Sequence, residues 1–109
     1  MKDYIIDWLK TKNEEDIVFV KRNPEFSIFL KHPGMTRYEA KKLVEEPEKI
    51  ISVEHSLSHD DRLVIIKKQQ KHMMIEYIIL DPRNPDLEER FKDKVAIVTY
   101  FPIRQRQSS

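Results

Sequence analysis

The sequence predicts an α+β domain in which short helices are followed by a four-stranded antiparallel sheet, with the helices packed on one face. Three observations lead there. Apolar residues at helical spacing are confined to the first half of the chain. Four β-rich runs fill the second half, joined by short polar links of hairpin length. The length, 109 residues, holds one hydrophobic core and not two.

Taken in order, residues 3–11 place Ile5, Ile6 and Leu9 at helical spacing with Trp8 beside them; Asp3 can cap the start and Asn13 ends the pattern. Residues 16–21 are β-branched and aromatic and read as a strand, broken by Asn23-Pro24. Residues 25–31 read as a short helix with Phe26, Phe29 and Leu30 on one face, a strand being the competing reading. His32-Pro33-Gly34 is a turn, because proline fixes φ and glycine permits a positive one. Thr36 and Glu39 have the spacing of a capping box, with Met35 and Ala40 at the staple positions. Ala40, Leu43 and Val44 then share a face, and Pro47 disfavours helix at the residue before it, so a helix is expected over 37–45.

The four sheet strands are expected at 49–55, 62–68, 72–80 and 95–101. Ser56–Asp61 and Gln69–Lys71 connect the first three. Asp81-Pro82-Arg83-Asn84-Pro85 halts the third, a charged stretch over 86–94 crosses the surface with a turn of helix, and Pro102 stops the last. One domain is expected over 1–104, with 105–109 a polar tail.

Composition excludes several function classes. Twenty basic residues face nineteen acidic ones, so no global field draws the chain to nucleic acid or membrane. Gly34 is the single glycine, whereas phosphate-cradling loops need several so that backbone can approach the ligand; nucleotide-cofactor folds of the Walker and dinucleotide kinds are excluded. The absence of cysteine rules out disulfides and thiolate metal sites. Charges interrupt every apolar run, and the longest runs, such as Ile17–Val20, are far too short for a membrane span, so a cytoplasmic protein without membrane contact is expected.

The run Met35-Thr36-Arg37-Tyr38-Glu39-Ala40, the helix exit Leu43-Val44-Glu45-Glu46-Pro47-Glu48-Lys49-Ile50 and the terminal Val95-Ala96-Ile97-Val98-Thr99-Tyr100-Phe101-Pro102-Ile103 together resemble small domains of the RelE/BrnT-type toxin superfamily, over about residues 16–104. The resemblance implies helices followed by a four-stranded antiparallel sheet and, as an activity, metal-free RNA cleavage. It implies further that Thr99 would hydrogen-bond substrate, that Arg104 would steady phosphate, and that Tyr100 or His32 would handle protons. The family's His-Arg pair on the early helix is poorly matched, since the segment 25–31 lacks both residues and His32 arrives only in the following turn. An acidic or helical antitoxin partner is implied as well.

The residues themselves offer a second set of candidates. His32, His55, His59 and His72 are the residues that titrate nearest neutrality, and His32 ranks first because it lies beside the predicted helix entry. A metal site from His55, His59, Asp60 and Asp61 is disfavoured, because the two histidines are four apart across a turn and form no helical face; no metal and no cofactor is expected. Lys67, Lys68 and Lys71, with Arg104 and Arg106, would form a phosphate patch if their strand ends lie side by side, with Tyr77 and Tyr100 stacking bases; the competing reading is a solvated edge in which lysines block sheet-to-sheet association. Glu14-Glu15, Glu45-Glu46 and Glu88-Glu89 are adjacent in sequence, face apart and read as solubilising charge. Two functions follow: a toxin-like endoribonuclease acting on RNA, or a non-catalytic protein-binding or homodimeric assembly domain, for which Tyr4, Trp8 and Leu9 are candidate anchors.

Overall fold

A computed structural model describes residues 2–20, 37–58, 61–70 and 73–103. The expected helix over 25–31, the turn at His32–Gly34, the Thr36 half of the capping box and the tail over 105–109 lie outside the described residues. In chain order the elements are α1 (Lys2–Lys10), a 3-10 turn (Glu14–Asp16), β1 (Ile17–Phe19), α2 (Arg37–Lys41), a 3-10 turn (Pro47–Lys49), β2 (Ile50–Ser58), β3 (Asp61–Gln70), β4 (Met73–Leu80), a 3-10 turn (Glu89–Phe91) and β5 (Val95–Ile103).

The α+β class holds, but the sheet is mixed and has five strands, in the order β1-β5-β4-β3-β2. β2, β3, β4 and β5 form the expected antiparallel meander. The addition is β1, which runs parallel to β5 with Ile17, Val18 and Phe19 opposite Val95, Ala96 and Ile97. Its three residues cannot stand alone as a strand, because their backbone groups need a ladder partner. β5 supplies one along its outer side, and the amide of Val20 extends the ladder to the carbonyl of Ile97 at 3.0 Å.

The hairpins are tighter than the sequence predicts. β2 and β3 stay in register out to Ser58 opposite Asp61, and β3 and β4 out to Gln70 opposite Met73. His55 therefore stands within a strand, opposite Val64. Pro102 does not stop β5; it pairs with Ile75, five residues beyond the last position that β1 engages. Proline lacks only a donor, and that loss is tolerated where no neighbouring strand needs it.

Strand alternation divides the sheet into two faces. On β4, Ile75, Tyr77 and Ile79 are buried, while Met74, Glu76, Ile78 and Leu80 are half-buried. The buried set packs with Val64 and Ile66 of β3, Val95, Ile97 and Tyr100 of β5, Ile5 and Leu9 of α1, and Ala40 and Leu43 near α2. The two described helices thus pack on one face of the sheet. Helix α2 is shorter than the predicted 37–45. After Lys41 the bonding tightens to Leu43 N–H on Ala40 carbonyl and Val44 N–H on Lys41 carbonyl, and Glu46 turns left-handed at φ 46° before Pro47. The proline disfavours a helical predecessor, and the freed carbonyls of Lys42 and Glu45 both accept from the Lys68 ammonium on β3.

Candidate functional site

The chemistry-bearing cluster in the described surface forms where β4 ends. Asp81 follows β4 directly, and Pro82 fixes the next φ. The Asp81 amide donates to the Arg62 carbonyl at 3.0 Å, and its Oδ1 accepts from the Arg83 amide at 2.9 Å. That second bond is an aspartate turn, in which a short side chain replaces a backbone acceptor. It points the carboxylate back at the sheet, where its side chain is only 2% exposed. A buried carboxylate needs paired charge or hydrogen bonds, and two side chains supply them. His55 of β2 brings Nε2 to 3.3 Å from Asp81 Oδ2. Arg83 brings Nε to 3.8 Å from Oδ1 and a terminal nitrogen to 3.1 Å from His55 Nε2.

The cluster opens to solvent on one side. The side chains of His55 and Arg83 are each 42% exposed. Both described contacts of the imidazole use Nε2, so Nδ1 is the ring nitrogen left for an outside partner. Nε2 cannot serve Asp81 and Arg83 in one protonation state: it donates to the carboxylate when it carries hydrogen and accepts from the guanidinium when it does not. Buried aspartate, exposed histidine and adjacent arginine therefore form an acid–base group beside a fixed cation. Tyr4 of α1 completes the surface, its ring 4.9 Å from the Arg83 guanidinium carbon.

Those residues singled out from the sequence that are described do not gather at one place. His32, Lys71 and Arg104 lie outside the described residues, as do His59 and His72. Tyr77 and Tyr100 are buried, their rings stacked on each other with centroids 5.8 Å apart, and Phe19 continues the stack at 6.5 Å from Tyr100. The Tyr77 hydroxyl donates to the Glu39 carbonyl at 2.6 Å, which ties α2 to the sheet. Burial pushes the Tyr77 phenol well above its ordinary range. This differs from the base-stacking surface expected of the two tyrosines: the pleat turns positions 77 and 100 towards the helices.

Lys68 shares that inward face. It is 1% exposed and binds the carbonyls at the end of α2 instead of an outside phosphate. Burial brings its amine down to about 8, against the opposing pull of Glu46, Glu45 and Glu48. Lys67 and Thr99 alternate to the other face, where both are half-buried opposite Glu76 and Ile78. Of the candidate partner anchors, Leu9 is in the core, Trp8 packs against it, and Tyr4 is 42% exposed.

The sequence marks His55 as one of four histidines and as a member of the disfavoured metal set, while Asp81 and Arg83 read as turn residues. The available signal was an Asp-Pro-Arg directly after an apolar strand. The register that sets it beside His55 was not readable. Among the described residues no group of three or more histidine or acidic side chains could hold a metal ion, and no helix is long and apolar enough to cross a membrane. Compared with protein-family models, curated proteins and solved structures, the chain matches none.

Proposed function

We propose that the protein is a metal-independent endoribonuclease of the toxin-like kind, working from the His55–Asp81–Arg83 cluster at the end of the sheet. The observation that carries this reading is an exposed imidazole held 3.3 Å from a buried carboxylate and 3.1 Å from an arginine. Cleavage of RNA by its own 2′-hydroxyl needs a base, a cation for the phosphorane and an acid for the leaving oxygen. His55 Nδ1 takes the 2′-hydroxyl proton while Asp81 balances the imidazolium that forms. Arg83 meets the nonbridging oxygens, whose planar pair suits a guanidinium. The 2′-oxygen bonds to phosphorus and the bond to the 5′-oxygen breaks. That oxygen takes a proton from the imidazolium or water, leaving a 2′,3′-cyclic phosphate and a 5′-hydroxyl. This activity belongs in the cytoplasm, beside a protein partner that silences it.

Expression of the wild-type chain is expected to arrest growth and fragment total RNA, and the purified protein is expected to cleave RNA equally well in EDTA. His55→Ala and Arg83→Ala are each expected to lower cleavage by about 100-fold or more, the range of a general base or charge-stabilising donor. Intact RNA with wild-type protein would sink the reading.

A second reading, a binding or assembly domain, draws on Tyr38 and Met73. Both are exposed large side chains at the mouth of a cavity of about 280 Å³ that Ile75, Lys42 and Lys49 also line. Self-association without RNA cleavage would favour it.

A further inference from the structure

The Arg83–Tyr4 contact tells more about the ligand than the acid–base pair does. Among the described residues Tyr4 is one of four large hydrophobic residues left exposed, and it stands on the first turn of α1. Helix α1 is anchored through Ile5 and Leu9, which are wholly buried, so the Tyr4 backbone is held beside the sheet. The guanidinium of Arg83 lies 4.9 Å from the ring, and the same group reaches His55 at 3.1 Å. An aromatic face, a planar cation and an oriented imidazole therefore follow one another along one continuous surface.

We infer that Tyr4 is a base-stacking residue and that the ligand of this surface is single-stranded RNA, with one unpaired base on the Tyr4 ring face turned away from Arg83 and the adjoining phosphate on Arg83. This rests on the proposed function for the identity of the polymer. The preference for an unpaired strand rests on Tyr4 alone. A base must leave its own stack to lie on a protein ring, and in an A-form duplex the bases are paired and the deep groove is closed to side chains. Stacking is indifferent to base identity, because every base has a π-face, so weak sequence preference is expected. The net charge of only +1 fits: with no strong global field, affinity must come from local stacking and one cation.

The test uses the full chain and a short fluorescent 2′-O-methyl oligoribonucleotide, which lacks the attacking hydroxyl and stays intact. Wild type is expected to bind the single strand and to bind the same strand annealed to its complement much more weakly. Tyr4→Ala is expected to weaken single-strand binding about ten-fold, a typical effect of losing one base–aromatic stack. Tyr4→Phe is expected to restore it. Tyr4→Leu keeps an apolar cover for the helix and is expected to bind as poorly as the alanine variant; thermal unfolding confirms that all variants fold. Equal binding by wild type and Tyr4→Leu, equal binding of single strand and duplex, or no binding by wild type would overturn the inference. The two proposals separate cleanly. Tyr4-dependent binding without cleavage of natural RNA would leave this inference standing and end the nuclease reading. Cleavage with KM unchanged in Tyr4→Leu would do the reverse.

Discussion

Lys68 shows how one residue can hold a structural post that its type conceals. A lysine on a β-strand ordinarily points to water; here its ammonium lies under α2 and satisfies the carbonyls of Lys42 and Glu45. Helix ends leave four carbonyls without internal partners, and a cation is well placed there. Burial nevertheless disfavours the charge and brings the amine from 10.5 to about 8. A lowered lysine pKa means that the unfolded chain binds more protons than the folded one between about 8 and 10.5. Stability should therefore rise with pH across that window. Tyr77 acts in the opposite sense: its raised pKa lets only the unfolded chain lose the phenol proton above its ordinary 10.0, so stability should fall beyond that point. Urea titrations across this pH range should show a maximum, and Lys68→Met should flatten the rising limb. A rising limb as steep in Lys68→Met as in wild type would refute the assignment.

At the scale of elements, the irregular positions explain where the chain departs from the simplest strand and helix pattern. Ile51 is an extra residue between the pairs Ile50–Lys68 and Ser52–Lys67, and Val98 is one between Ile78–Thr99 and Ile79–Ile97. Such bulges keep each following side chain on its proper face after an odd count. The Val98 bulge is why Ile97 and Tyr100, three residues apart on β5, both face the core. The entry to β5 is equally particular. Asp93 sits at φ 60°, two residues beyond the turn that ends at Phe91. Asparagine, aspartate and glycine tolerate this region, whereas a β-branched residue does not. Asp93→Gly is expected to match wild type in thermal unfolding, and Asp93→Val to cost about 1–2 kcal/mol. A valine variant as stable as wild type would show that the turn relaxes freely.

For the whole molecule, Ile97 is the point where distant parts of the chain meet. It is buried on β5, faces Phe19 on β1 and Ile79 on β4, and its carbonyl accepts from Val20. Ile97→Ala should lower stability by about 2–5 kcal/mol, as cavity formation in a core does. The half-buried Ile103 near the end of β5 should cost clearly less, and urea unfolding of the two variants checks the order. The β1–β5 pairing joins position 17 to position 95, so its loop must close before any contact rewards it. By itself the sequence determined the α+β class, α1, the four meander strands and the break at Pro47. These depend on periodicity, β-branching and proline, all of which act between near neighbours. Only the tertiary structure decided that β1 completes the sheet in parallel, that Tyr77, Tyr100 and Lys68 turn inward, and that His55 meets Asp81 and Arg83. The pairing of His55 with Asp81 spans two strand crossings, and a shift of one residue in either register would send the imidazole to the opposite face. Composition carries no record of that register, because it is set by how the whole sheet packs against its helices.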